Sequence, residues 1–410
     1  MRINRSGWIS ICFINLCLVA LLGVILRSKI LFSIPSINFR NVLSAHSHFA
    51  FAGWAGLCLM TLLIFDLLPE NRAHKNVYGA LLISVELSSL GMAFCFPFFG
   101  YNALTIFFST AYIVAMLVFA PLYIKDVLKS SIHKTVKLLS ISGLSFLIIS
   151  FVGTLGLVYI LAGKSTNSLL YRDSIYFFLH FQYNGFFTLS VFALFLNYLS
   201  SKGIVFGKIV SRFALFLVLS VAPTLFLSML WHNNALIYAM AGIGCLLVII
   251  SLFYYFKLLR LATKSPLFSN KMAYWLWIFS TLSFSLKMIL NVGTILPQLS
   301  DAVYSDHPLI IGFLHLVFLG FFTFYVLATF IQNGYFSIKN KTVTYPFIIF
   351  SIGIFGNEFT LMLQGLSILL HTNSPYYNWF LLAASILLLS GAILIAATRF
   401  MVIKKQRMIA

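Results

Sequence analysis

The composition of this 410-residue chain is that of a membrane protein. Hydrophobic residues make up 61% and charged residues only 9%, whereas a soluble domain carries about 25% charged residues. The formal net charge of +19 does not indicate nucleic-acid binding, because Lys and Arg are scattered through short loops between apolar runs, where membrane topology places them. We therefore expect a multi-pass protein in contact with the lipid bilayer and no nucleic-acid partner.

Twelve apolar segments are each long enough to cross a bilayer, which takes about 20 residues. They predict an all-α polytopic protein with a single twelve-helix domain over residues 1–410. The strings CFPFFGYN and WHNN mark two turns that contain no charge. The predicted spans are 8–27, 42–68, 77–98, 101–124, 137–163, 172–199, 208–230, 235–257, 272–297, 307–333, 345–370 and 377–403.

The distribution of Lys and Arg predicts the orientation. With the N-terminus inside, the inner segments carry 21 of these residues and the outer loops five, while Lys287 lies within the ninth span. Cytoplasmic loops are enriched in Lys and Arg. We therefore expect a bacterial-type inner (cytoplasmic) membrane protein with both termini in the cytoplasm.

Most of the histidines fall on the predicted outer side. Counted from the nearest charged residue, four of them lie roughly 9–14 Å deep in their spans, at about 1.5 Å per residue. Ionisable groups at such depth are functional candidates, and neutral imidazole is the commonest metal ligand. A shared metal or haem site is one interpretation, and separate hydrogen-bonded core histidines are the other. The deep residues are His46, His48, His180 and His315, and the remaining outer ones are His232, His307 and His371.

His46 and His48 lie two residues apart at the start of the second span. Residues at this spacing differ by about 200° around a helix, so they point to opposite sides. The two imidazoles therefore cannot both bind one iron. One is free to bind a metal while the other faces a different site.

Other polar side chains accompany these histidines inside the spans. Tyr183 and Asn184 follow His180 at helical spacing, which predicts either support for a metal ligand or hydrogen bonding between helices. Three isolated charged residues lie deep in the third, ninth and eleventh spans. They are expected either to pair with one another or to form a proton route. These residues are Glu86, Lys287 and Glu358.

This arrangement resembles subunit I, the catalytic subunit, of the haem-copper oxidases. The strings that carry the resemblance are NVLSAHSHF in the second span, MLWHNN after the seventh and GFLHLVFLGFFTFYVLATF in the tenth. The resemblance implies that His46 and His315 bind a low-spin haem. It further implies that His180 and His232 hold copper.

The chain departs from the oxidase pattern where the catalytic centre is expected. Phe313 stands for the ligand of the catalytic haem, Asn233 for a copper ligand and Gln182 for an acid. The strings of the second and tenth spans also resemble the NnrS family of twelve-span proteins, which is associated with haem, copper and nitric oxide. That second resemblance makes His48 a candidate metal ligand.

These resemblances imply a haem-binding membrane protein with redox or small-gas chemistry, acting on oxygen or nitric oxide at an incomplete or rearranged binuclear centre. Such an oxidoreductase would draw electrons from a donor at the outer face. A non-catalytic haem sensor or assembly factor is one alternative. A metal transporter is another, for which inverted repeats are expected, and no repeat is predicted from the sequence.

Overall fold

The computed structural model describes residues 4–263, 267–300, 307–336, 341–370, 372 and 374–409. These residues contain twelve helices long and apolar enough to cross a membrane, and no β-strand. The predicted all-α class and number of spans are confirmed. The helices are α1 (Arg5–Leu31), α2 (Phe39–Leu67), α3 (Asn76–Phe99), α4 (Ala103–Leu128), α5 (Lys134–Leu161), α6 (Ser168–Ser201), α7 (Lys208–His232), α8 (Ala235–Thr263), α9 (Lys271–Gly293), α10 (Pro308–Gln332), α11 (Val343–Ile368) and α12 (Tyr376–Ile403).

The observed helix ends differ from the predicted ones by a few residues. The largest difference is in α8, which continues past Lys257 to Thr263. A basic residue does not end a helix, because cations near the C-terminus interact favourably with the helix dipole. The Lys257 ammonium also lies 4.0 Å from the centre of the Phe253 ring.

The two predicted turns contain residues in the left-handed region of backbone space. Asn233, after α7, has φ 47°, and Gly100, between α3 and α4, has φ 57°. Asparagine and glycine are the residues that adopt this conformation most readily. The turns therefore form where WHNN and CFPFFGYN predict them.

Hydrogen bonds between helices define the relative direction of α1, α2 and α10. Asn15 and Val19 of α1 contact Gly53 and His46 of α2, respectively, so these neighbours are antiparallel. Along α2 and α10, in contrast, the contacts advance in the same direction, from His46 with His315 to Trp54 with Thr323. Helices α2 and α10 are therefore parallel, and their polar residues meet level by level.

Two groups of ion pairs, one of them around the buried Asp126, lie at the end of the bundle that holds the N-terminus. Asp126 accepts hydrogen bonds from Arg72 (2.7 Å), Lys75 (2.6 Å) and Tyr78 (2.9 Å). Arg5 pairs with Asp66 at the same end. These contacts tie α3 and the loop before it to α4, and α1 to α2, at the end remote from His46 and His315.

Three helices change to π-helix within two residues after a candidate histidine. The segments are Ala50–Gly56 in α2, Phe181–Phe187 in α6 and Leu316–Thr323 in α10. A π-helical turn is rare and frequently marks a functional site. The wider turn re-aims the side chains around it. The backbone thus points to the same three helices as the histidine pattern.

Candidate functional site

The structure brings His46 of α2 and His315 of α10 together. Their ring centroids are 6.4 Å apart and their planes differ by 20°. The Nδ1–H of His46 donates to the carbonyl of Val19 (3.1 Å), and that of His315 donates to the carbonyl of Ile311 (2.8 Å). Neither Nε2 has a hydrogen-bond partner within the described residues, so both keep a free lone pair.

This spacing fits two imidazoles bound on opposite sides of one metal ion. Such rings have centroids about 6.2 Å apart, because metal–nitrogen bonds are about 2.0 Å long and a ring nitrogen lies ~1.1 Å from the ring centre. Hydrogen bonding of Nδ1 to a carbonyl is the usual way in which a protein orients a ligating imidazole. The pair therefore fits the axial ligand set of a bis-histidine haem.

One face of α1 lies against this pair. Val19 accepts the bond from His46, and a Cβ on Gly23, one turn further, would lie 3.5 Å from Cε1 of the same ring. Arg27 follows at the next turn, and its guanidinium is close enough to act electrostatically on both His46 and His315. Within the described residues Arg27 has no acidic partner.

A second contact between α2 and α10 holds the pair in register. The indole N–H of Trp54 donates to Oγ1 of Thr323 over 3.1 Å, and the Thr323 hydroxyl donates to the carbonyl of Phe318 (2.7 Å). Trp54 and Thr323 each lie eight residues after His46 and His315, respectively. Both are buried, with exposures of 2% and 0%. Two levels of contact therefore fix how α2 faces α10.

A short repeat links α6 and α10. His180 and His315 are each followed, after four residues, by the string GFFT. In both copies the threonine hydroxyl, of Thr188 or Thr323, donates to a carbonyl five residues earlier, across the π-helical turn. This short string is not the inverted repeat that a transporter would predict. The H-x4-GFFT string is visible in the sequence, although its π-helical consequence is not.

The first residue of GFFT occupies a tight interhelical contact. A Cβ on Gly185 would lie 2.5 Å from Cβ of Phe146 in α5, and one on Gly320 would lie 2.7 Å from Oγ of Ser283 in α9. Small residues let helices approach closely, and at Gly185 an added Cβ would force the helices apart. Each copy of the repeat thus combines a close contact with a widened turn.

His180 is completely buried, and both of its ring nitrogens are engaged. Its Nε2–H donates to the carbonyl of Val221 in α7 (2.7 Å), and Nδ1 accepts from the amide of Asn184 (3.2 Å). Tyr183 lies beside it, with ring centroids 6.1 Å apart. As the ring is placed, His180 joins α6 to α7 and presents no free lone pair to a metal.

His232 and His48 lie in separate places. His232 pairs with Asp173 (2.9 Å), which precedes His180 by seven residues, about 10 Å along α6. His48 donates from Nδ1 to the carbonyl of Ser44 (2.8 Å) and packs against Phe96 and Tyr101 of the next hairpin. Burial raises the pKa of the Tyr101 phenol.

The three predicted ligands of a second metal are thus not brought together. His48 points away from His46, as the 200° spacing predicts, and His232 pairs with Asp173, which lies two helical turns before His180 on α6. Within the described residues, no three His, Cys, Asp or Glu side chains are grouped so that they could hold a metal ion. The side chains of His307 and His371 lie outside the described part of the chain.

The isolated charges do not pair with one another. Glu86 accepts from Asn15 (2.7 Å), Glu358 accepts from Asn357 (3.1 Å), and the ammonium of Lys287 donates to Oγ1 of Thr188 (2.7 Å). Lys287 alone of the three lies near a predicted site, because Asn184 and Thr188 flank the same cavity. The expected mutual pairing is therefore not observed.

Comparison of the sequence with protein-family models and with curated proteins gives no match.

Proposed function

We propose that this protein holds a haem inside the membrane between His46 and His315, and that this haem carries electrons. The observation that carries the proposal is the geometry of the pair: centroids 6.4 Å apart, planes 20° apart, both Nδ1 atoms bound to carbonyls and both Nε2 atoms free. His180, in contrast, uses both of its ring nitrogens in hydrogen bonds, and His48 lies in a separate place with no second imidazole beside it among the described residues.

Arg27 adds chemical support. Arg27 lies near the outer end of α1 and has no acidic partner within the described residues, and the carboxylates of a haem would supply the negative charge that it lacks. Arg27 follows Val19 and Gly23 along the face of α1 that contacts His46. The site thus provides two axial nitrogens and one cation, which matches the chemistry of a haem.

The ligand set favours electron transfer over gas reduction. A haem takes up and releases one electron, and a protein directs that chemistry through its axial ligands and their surroundings. His46 and His315 would both be engaged in holding the haem, so neither would be left to bind or activate oxygen or nitric oxide. The carbonyls of Val19 and Ile311 would hold both imidazoles in the same orientation in both redox states.

A gas-reducing centre would need a second set of ligands. The oxidase resemblance expects a haem ligand at position 313, where Phe313 packs against Tyr183 with centroids 5.6 Å apart. His180, a candidate copper ligand, uses both nitrogens in other bonds. These contacts favour an electron-carrying haem over small-gas chemistry with copper, and we derive no step through copper.

A sensor or assembly role would use the same haem. Electron exchange with a donor distinguishes an electron carrier from a sensor or assembly factor. A metal transporter is not favoured, because α6 and α10, which carry the GFFT repeat, are even-numbered helices that start from the same end of the bundle. The repeat is therefore not of the inverted kind.

We propose that the protein lies in a bacterial-type inner membrane with His46 and His315 toward the outer face, because of the distribution of Lys and Arg.

The test is a reduced-minus-oxidised optical spectrum of the protein purified in mild detergent from haem-supplied cells. We expect a six-coordinate low-spin haem that does not bind carbon monoxide. His46→Ala and His315→Ala should each lose the haem or convert it to a form that binds carbon monoxide. His48→Ala, two residues from His46, is the matched control and should keep the wild-type spectrum.

Two results would contradict the proposal. One is a wild-type protein without a Soret band after expression with ample haem. The other is an unchanged six-coordinate spectrum in both alanine variants, which would assign the axial positions to other residues.

A further inference from the structure

Lys287 lies in the middle of the bundle, where burial of a charge is most costly. It is 0% exposed. Its ammonium donates to Oγ1 of Thr188 (2.7 Å), and its other neighbours are the rings of Tyr183, Phe284 and Phe321, each about 6 Å away. Four acidic side chains form ion pairs within the described residues, and each of them pairs with a basic side chain other than Lys287. A buried charge of this kind is found paired or neutralised.

A small cavity lies beside Lys287, among α6, α7, α8 and α9. Its lining is polar for a membrane interior, and it has room for about one particle of the size of water. The polar residues that line it are Asn184, Thr188, Ser220, Thr224, Lys287 and Asn291.

The groups that face this cavity include several N–H donors, besides the side-chain oxygens of Asn184 and Asn291. Lys287 uses one of its three N–H groups on Thr188, and Asn184 uses one of its two on His180. The side-chain amide of Asn291, 7% exposed, has no hydrogen bond within the described part of the chain. The hydroxyls of Ser220 and Thr224 already donate to backbone carbonyls. The cavity therefore offers several N–H donors, one positive charge and no carboxylate.

We propose that this cavity, widened slightly by movement of the flexible side chains that line it, binds one small monovalent inorganic anion of about the size of chloride, with Lys287 as its counter-charge and the amides of Asn184 and Asn291 as further donors. The anion would supply the negative charge that the described residues do not. It would also tie α9 to α6, because Lys287 contacts both the anion and Thr188. This site is separate from the His46–His315 pair and does not depend on haem.

The test is equilibrium binding of radioactive chloride to the purified full-length protein, at constant ionic strength set with gluconate, which is too large for the cavity. We expect saturable binding of one chloride per chain, and bromide should compete. Chloride should also raise the unfolding temperature saturably, because a ligand that binds only the folded state stabilises it.

The variants separate this site from chloride bound elsewhere. Lys287→Met should abolish the saturable component, Lys287→Arg should keep it, and Asn291→Leu should weaken binding about tenfold or more. Lys271→Met removes the same charge from the exposed start of α9 and should bind chloride as the wild type does.

The outcomes that overturn the proposal are equally specific. They are a wild type that binds no chloride saturably, or a Lys287→Met protein that binds it unchanged. If Lys287→Met does not fold, Asn291→Leu decides, since unchanged binding by a folded Asn291→Leu protein contradicts the site. Haem content is measured on the same samples, so loss of haem and loss of chloride are recorded separately.

Discussion

The imidazole rings of His46 and His315 lie 6.4 Å apart with their planes at 20°. This near-parallel orientation is fixed by two different carbonyls, that of Val19 on α1 and that of Ile311 on α10 itself. Because three helices determine the geometry of two rings, the relative ring orientation is a property of the tertiary structure. It is also open to measurement.

The first prediction concerns electron paramagnetic resonance of the oxidised protein. Near-parallel axial imidazoles give a rhombic low-spin ferric signal, whereas perpendicular rings give a highly anisotropic one. We expect the rhombic signal from the wild type and from His48→Ala. A highly anisotropic spectrum would show that the two rings take another relative orientation when iron is bound.

The second prediction concerns the contact between Trp54 and Thr323. Thr323→Val keeps the shape of the side chain but removes the oxygen that accepts the Trp54 N–H. We expect a loss of about 1–2 kcal/mol in the free energy of unfolding, because a buried donor is left without an acceptor. Thr329→Val, on the same helix, removes only a bond to the Tyr325 carbonyl and should cost about 0.5 kcal/mol or less. Thermal unfolding in detergent measures both, and equal losses would contradict the special role of Thr323.

The third prediction concerns the charge of Arg27. Arg27→Gln should lower the midpoint potential of the haem, because removing a nearby positive charge disfavours the reduced state. For a charge about 10 Å from the iron at an effective dielectric constant of 20–80, the expected decrease is roughly 20–70 mV. Redox titration of the purified protein measures it.

The matched control for Arg27 is Lys29→Gln. Lys29 carries the same charge two residues further along α1, but its ammonium donates to the carbonyl of Ile34. Its removal should change the potential less. A potential that is equal in the wild type and in Arg27→Gln would separate Arg27 from the haem.

The fourth prediction concerns the glycine of the GFFT repeat in α6. Gly185→Ala places a Cβ where Cβ of Phe146 is only 2.5 Å away, so α5 and α6 must move apart. We expect a destabilisation of about 1–3 kcal/mol, the usual cost of overpacking. Gly242→Ala, in α8, meets nothing within 4 Å and should be neutral or stabilising by up to about 1 kcal/mol. Similar unfolding temperatures for the two variants would contradict the close contact of α5 with α6.

Much of the architecture follows from the sequence because it depends on local composition. Apolar runs predict the twelve helices, and Asn233 and Gly100 lie in turns that local strings indicate. The end of α8 is the helix boundary that the sequence predicts least well, because Lys257 and Arg260 are compatible with both a loop and the last turns of a helix.

The histidines show where local pattern is insufficient. Depth along each span groups His46, His48, His180 and His315 at one level, and that level is compatible with one shared site. The depth of a residue along its span does not reveal how the helix is rotated about its axis. In the structure His180 contacts Val221 and His48 contacts Phe96, so only His46 and His315 of the four lie together. His232 pairs with Asp173.

The sequence by itself determined that this is a twelve-helix membrane protein with polar residues at particular depths, because hydrophobicity and helical rise are local properties. The tertiary structure decided which of those residues meet. The pairing of His46 with His315, the isolation of Lys287 from Glu86 and Glu358, and the cavity beside Asn291 all depend on how helices distant in the chain rotate and pack. That rotation is set by contacts between helices, such as those at Gly185 and Thr323, and these contacts exist only in the folded bundle.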